Sequence, residues 1–266
     1  MDLTVAGKRV FAGTGGRDLD PARPLLVLLH GAGMDHTVWV LQSRYFAYHG
    51  FSVLALDLPG HGRSEGPALP TIEALAGWTA AVVAASGFER ASLVGHSMGA
   101  AVALSAAARA PERVSRIALL GAALAMPVHP DLLAAAASGS DLAPQLMTFW
   151  GLGRAAQIGG HPTAGLWLTG AARQLIRRGA GPSLSADLAA CAGWTGGKEA
   201  AVGTRCPALV LAGSDDKMIP AAKARDLASA ISGARIETLV GSGHMMMLEA
   251  PDATVAALQG FLSGKG

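Results

Sequence analysis

The sequence predicts an α/β fold with a mostly parallel central sheet flanked by helices. Three observations carry this. Short runs rich in Val, Leu and Ile recur along the chain, and helix-length segments separate them. Most of these runs lack polar alternation, as expected of strands covered on both faces. One long stretch, residues 122–203, breaks the rhythm with helical patterning and no convincing strand. The 266 residues, 51% of them hydrophobic, suffice for one large core.

The elements follow in chain order. Leu3–Val5 and Arg9–Ala12, around Ala6-Gly7-Lys8, read as an antiparallel hairpin on the sheet edge. Leu25–Leu29, Val53–Leu56, Ser92–Val94, Ile117–Leu120, Ala208–Leu211 and Ile236–Val240 read as strands. Between them, Val38–Tyr48, Thr71–Ser86, Met98–Ala110, Ala221–Ile231 and Asp252–Leu262 read as helices. Such alternation gives right-handed crossovers and an open sheet. Residues 1–121 and 204–266 are therefore expected to form the core domain. The insertion, 122–203, is expected to form a helical cap over the ligand-binding edge. Its Leu146, Met147, Phe149, Trp150, Leu166, Trp167, Leu168 and Trp194 are too apolar for a solvated linker.

Composition excludes several function classes. The formal net charge is +2 and the basic residues are scattered, so no nucleic-acid partner is expected. Cys191 and Cys206 form no C-x-x-C motif, and no Cys/His cluster has zinc-ligand spacing, so neither a metal nor a cofactor is expected. Two reduced thiols are the expectation, with a disulfide left open. The N-terminus lacks the apolar run of a signal peptide. The longest uncharged stretch, residues 155–172, is broken by Gln157, His161, Pro162 and glycines. No membrane partner and a cytoplasmic location are the default expectation.

Chemistry concentrates at strand ends. Gly95-His96-Ser97-Met98-Gly99 lies between an apolar strand and a small-residue helix. G-x-S-x-G in that context forms a sharp elbow that exposes the serine at a helix N-terminus. A serine hydroxyl needs a base. Of the eight histidines, His244 follows the last strand and alone comes after the late acidic loop. His30 and His61, each followed by glycine, read as structural or pocket-forming. Gly213-Ser214-Asp215-Asp216-Lys217-Met218-Ile219-Pro220 supplies an acid to orient the imidazole. The register favours Asp216 over Asp215. His30-Gly31-Ala32-Gly33 follows the first buried strand, and the backbone N–H groups of Ala32 and Met98 are candidate oxyanion donors.

These motifs, with Trp39, Asp57-Leu58-Pro59-Gly60-His61-Gly62-Arg63-Ser64, Glu249 and Pro251, resemble the α/β-hydrolase superfamily, and specifically its carboxylesterase-like members with a helical cap. The resemblance spans residues 20–262 apart from the cap. It implies a Ser97–His244–Asp216 triad acting through an acyl-enzyme on a small, largely apolar ester or related acyl substrate. Met147, Trp150 and Trp167 of the cap, with Phe149 and Leu168, are candidate pocket walls, and His30 and Gly31 are expected to face substrate. The Asp57–Ser64 loop is read as structural, and Glu249 as a helix-start or ion-pair residue. Dehalogenases and epoxide hydrolases of this group carry aspartate at the nucleophile, and dienelactone hydrolases cysteine, so Ser97 disfavours all three. Cleavage of a C–C bond or a lactone, and a ligand-binding protein without turnover, stand as alternatives. Oligomeric state is not legible.

Overall fold

A computed structural model describes residues 1–264 except 162, 164 and 180. Strands β1 (Asp2–Val5) and β2 (Lys8–Gly13) form the edge hairpin, followed by β3 (Leu25–Leu29), β4 (Ser52–Leu56), β5 (Ala91–His96), β6 (Val114–Leu120), β7 (Ala208–Gly213) and β8 (Arg235–Leu239). They make one sheet in the order β1-β2-β4-β3-β5-β6-β7-β8. Pairing is antiparallel at β1–β2 and β2–β4 and parallel from β4 to β8.

Every residue of β3, β4, β5 and β7 is buried, which explains their largely apolar sequence. Burying each Leu or Val side chain contributes about 1.5–3 kcal/mol. β8, at the far edge, is mostly exposed and mixes Arg235, Glu237 and Thr238 with Ile236 and Leu239. It ends at Leu239, one residue before the expected end, and Val240 stands in solvent.

Helix α1 (Val40–Tyr48), entered through a short 3-10 turn (His36–Trp39), packs against α12 (Pro251–Leu262). On the other face α2 (Ile72–Ala85), α3 (Met98–Arg109), α9 (Gly197–Gly203) and α10 (Ala221–Ala230) form a continuous layer. Thr71 starts α2 by accepting the Ala74 N–H through its hydroxyl, at 3.1 Å. Between β6 and β7 lie α4 (Pro130–Ala137), α5 (Leu142–Gly151), α6 (Arg154–Gln157), α7 (Leu168–Gly179) and α8 (Pro182–Ala192). These five pack on one another, whereas α9 packs on α3. The short α11 (Met246–Glu249) follows β8.

Strand order positions the site. From β3 the chain steps back to β4, then crosses to β5 on the other side of β3. The loops leaving β3 and β5 therefore diverge beyond the carboxyl ends of adjacent strands, where open α/β sheets bind ligands. Leu29 at the end of β3 pairs with Gly95 in β5, bringing the His30–Gly33 loop beside Ser97.

Candidate active site

Ser97 sits between β5 and α3 with φ 54° and ψ −117°. Ala6 and Ser97 are the non-glycine residues with positive φ among those described. Such a conformation is strained for a residue with a side chain. Its flanking glycines are obligatory. A Cβ on Gly95 would lie 2.1 Å from the Gly99 carbonyl oxygen, and one on Gly99 2.4 Å from that of Leu29. The turn is thus held closed while the hydroxyl projects into a cavity that His244 also lines.

His244 follows β8 and is fixed from several sides. Its Nδ1–H donates to Asp216 Oδ2 at 2.7 Å. The other Asp216 oxygen accepts the N–H groups of Met218 and Ile219, both at 2.8 Å. The backbone N–H of His244 donates to the Gly151 carbonyl, 2.8 Å away, and its own carbonyl accepts His96 Nε2–H at 3.0 Å. Burial, with His244 alongside, holds His96 well below the ordinary histidine pKa, so its ring is a neutral donor. The buried Nε2 of His244 has no hydrogen-bond partner among the described residues. This is the lone pair a general base requires. Asp215 is half-buried and accepts the Ser214 hydroxyl instead. Of the two aspartates, the structure brings Asp216 to His244.

The loop after β3 is equally constrained. His30 Nδ1–H donates to the Gly31 carbonyl at 2.9 Å, and its Nε2 accepts the Leu58 N–H at 3.1 Å. Burial and the nearby His61 lower the pKa of His30 to about 4, consistent with this neutral tautomer. A Cβ on Gly31 would lie 3.3 Å from that of Ser97, so this backbone runs directly against the serine. Among the described residues, neither the Ala32 nor the Met98 N–H donates to a protein acceptor.

The cavity over Ser97 has a volume of about 480 Å³. Ala32, Ser97 and His244 form its floor, and Leu132, Met147 and Trp150 of α4 and α5 are among its walls. Phe149 and Lys217 stand at its exposed rim, with the Lys217 ammonium 5.4 Å from the Phe149 ring centre. Met147, Phe149 and Trp150, three of the candidate pocket walls, line this cavity. Four expected pocket residues do not line the cavity. His30 is fully buried and spends both ring nitrogens on backbone, and Gly31 is packed beneath Ser97 and His96. Trp167 is 68% exposed, its ring folded over Gly170 at the start of α7; Leu168 is buried in the cap instead. Glu249 forms no ion pair among the described residues. Its carboxylate accepts the N–H groups of Gly153, Gly243 and Met245, joining the α5–α6 turn to the His244 loop. Sequence reasoning missed Lys217 as a rim residue, although its place beside Asp216 in the acid loop was the available signal. It also missed Cys191, a buried free thiol in the cavity wall whose pKa burial pushes far up.

Ala32, Ser97 and a His244 with a free Nε2 thus line one largely apolar chamber, and the buried carboxylate of Asp216 holds His244 from outside it. The fold and site define a class of enzyme, and the comparison with known sequences agrees. The chain belongs to the alpha/beta hydrolase family, whose profile matches residues 26–258. It is a hydrolase. It is 30% identical over 258 residues to a pimeloyl-[acyl-carrier protein] methyl ester esterase of Aromatoleum aromaticum, covering 91% of this chain and 99% of that protein. It is 27% identical over 244 residues to an (E)-2-((N-methylformamido)methylene)succinate hydrolase of Acinetobacter baylyi, covering 89% of each. The enol-lactonase of Burkholderia xenovorans superposes with a TM-score of 0.87 at 26% identity, covering 99% of this chain and 100% of that one. No helix among the described residues is long and apolar enough to cross a membrane.

Proposed function

We propose that the protein is a carboxylic ester hydrolase working through an acyl-enzyme on Ser97, with His244 as base and Asp216 as the acid that orients it. The observation that carries this reading is the 2.7 Å contact from His244 to Asp216, with the free Nε2 of His244 in the chamber that holds Ser97. Ser97 Oγ attacks the carbonyl carbon and its proton passes to His244 Nε2. The carbonyl oxygen, now negative, is bound by the Ala32 and Met98 N–H groups. The tetrahedral intermediate collapses, the C–O bond breaks, and His244 returns the proton to the leaving alcohol. Water then attacks the acyl-Ser97 ester with His244 again as base, releasing the acid. The apolar walls favour a small, largely apolar acyl group.

A second reading, lactone hydrolysis, runs through the same steps with the alcohol tethered to the acyl group. The likeness to an enol-lactonase over the whole chain favours testing it. The cap in this reading comprises α4–α8, residues 122–196, with α9 assigned to the core because it packs on α3. Assay of p-nitrophenyl esters beside a lactone series, with fluorophosphonate labelling of Ser97, tests the proposal. Labelling and ester turnover that both vanish in Ser97→Ala support it. Undiminished turnover in that variant, or no turnover of any acyl substrate by the wild-type chain, defeats it.

A further inference from the structure

Besides His244–Asp216, the described residues contain one histidine–carboxylate pair in which both side chains are only 1% exposed. It joins His61, in the loop after β4, to Asp187 on α8 of the cap, with His61 Nε2–H donating to Asp187 Oδ2 at 2.8 Å. The other ring nitrogen, Nδ1, faces the Pro59 carbonyl at 3.0 Å. Both nitrogens meet acceptors, so both carry protons and the ring is an imidazolium. Burial opposes that charge, but the hydrogen bond and charge of Asp187 outweigh it and hold the His61 pKa above the ordinary value.

The same Asp187 oxygen also accepts the Gly33 N–H, 2.9 Å away. This contact bears on catalysis through peptide geometry. A peptide unit is planar, so fixing its carbonyl aims its N–H. His30 holds the Gly31 carbonyl, which belongs to the same plane as the Ala32 N–H. Asp187 holds the Gly33 N–H, which belongs to the next plane. Ala32 is therefore clamped from both sides, once by the core and once by the cap. Cap packing reinforces the second clamp. Gly33 has φ +65°, and a Cβ there would come 2.7 Å from Leu184 Cδ1, while one on Gly179 would come 2.2 Å from the Gly33 carbonyl oxygen.

We infer that Asp187 is a positioning residue for the oxyanion hole: anchored by His61, it holds Gly33 and thereby fixes the direction of the Ala32 N–H. The inference rests on the serine hydrolase reading. It makes the cap a structural part of the catalytic machinery as well as a wall of the cavity. The pair does not touch substrate, and Asp187 acts only through the loop.

The test compares wild type, Asp187→Asn, Asp187→Ala and the double variant His61→Leu/Asp187→Leu. The double variant removes the acceptor without leaving a buried charge, so it remains informative if the alanine variant fails to fold. Removal of one oxyanion donor typically lowers turnover by about 10²–10³-fold, and misaiming one should cost about 10–100-fold. Asp187→Ala and the double variant should therefore lose about 10–100-fold in kcat with KM within about threefold. Their affinity for a trifluoromethyl ketone, which forms an oxyanion at Ser97, should fall by the same factor. Asp187→Asn keeps an oxygen for the Gly33 N–H and should recover most of the loss. Wild-type kcat and ketone affinity in whichever acceptor-free variant folds would overturn the inference alone. A wild-type chain that neither turns over esters nor labels with fluorophosphonate would overturn the hydrolase reading and this inference with it.

Discussion

Asp216 holds His244 with one oxygen and is itself held by two backbone N–H groups through the other. The carboxylate therefore cannot rotate without breaking hydrogen bonds inside a buried site. Asp216→Asn keeps the shape but presents an amide where a fixed acceptor is needed. It should lower kcat by about 10⁴-fold, the scale set by removing the charge of a triad aspartate. Asp215→Asn, half-buried and bonded to Ser214, should stay within about threefold of wild type. Steady-state kinetics on one ester decide the ranking, and the reverse order would reassign the acid.

Ser97→Ala should fold normally, because the elbow is set by Gly95 and Gly99 rather than by the hydroxyl. Turnover should fall by about three to six orders of magnitude, since triad members act as a unit. Ser97→Gly should be as inactive yet more stable than the alanine variant, because glycine occupies φ 54° without strain. Urea unfolding of the two variants measures the difference. Equal stabilities would argue that the elbow carries no strain.

Gly121 gives a separate handle on the base. It has φ +58°, and a Cβ there would lie 2.8 Å from Nδ1 of His244. Gly121→Ala should push the imidazole off its line and lower kcat by about 10²-fold, the typical cost of misplacing a catalytic group by about 1 Å. The His244 Nδ1 proton resonance, shifted downfield by Asp216 in the wild type, should move or broaden. An unchanged resonance with unchanged kcat would show that the loop after β6 gives way instead.

Much of this candidate site was legible because its residues stand just after predicted strands, two of them buried apolar runs. Ser97 follows β5, Asp216 follows β7 and His244 follows β8. The buried strand cores were readable from their apolar runs, whereas the exposed edge strand β8 mixes charged and apolar residues. The His61–Asp187 pair was not legible, since the partners stand 126 residues apart and nothing local marks Asp187 as buried. The roles of the cap aromatics were only partly legible. Aromatic content shows that a segment must pack somewhere, but not which ring faces the cavity. Trp150 and Trp167 have similar sequence surroundings and opposite fates.

Two buried histidines of opposite charge state make stability depend on pH at both ends. His30 titrates near 4 in the fold and near 6.5 when unfolded. Between those values the unfolded chain binds the extra proton, so stability rises with pH across that window, by about 3 kcal/mol in total. His61 has the opposite sign. Its folded pKa is raised, so its contribution is complete below the unfolded value and is lost as pH rises through the folded one. Urea unfolding between pH 4 and 9 should show His30→Asn flattening the acid limb and Asp187→Asn flattening the alkaline limb. An acid limb unaltered in His30→Asn would place that titration elsewhere.

The cap aromatics should separate in substrate selection. Trp150 lines the cavity together with Met147 and Leu132, and its ring centre lies 5.6 Å from that of His129 at the start of α4. Removing the indole enlarges the chamber and leaves Ser97, His244 and Ala32 untouched. A short acetyl ester needs none of that wall, so its kcat/KM should change by less than about threefold in Trp150→Ala. Longer acyl chains gain room while losing some contact, and each methylene in an apolar pocket is worth about 1–3 kcal/mol. The ratio of octanoyl to acetyl kcat/KM should therefore rise by about tenfold or more. Trp167 is 68% exposed and outside the chamber, so Trp167→Ala should leave the ratio within about twofold and stability within about 0.5 kcal/mol. A selectivity change in Trp167→Ala equal to that in Trp150→Ala would mean that α7 moves over the cavity mouth during turnover, which the position of Trp167 in this structure does not suggest.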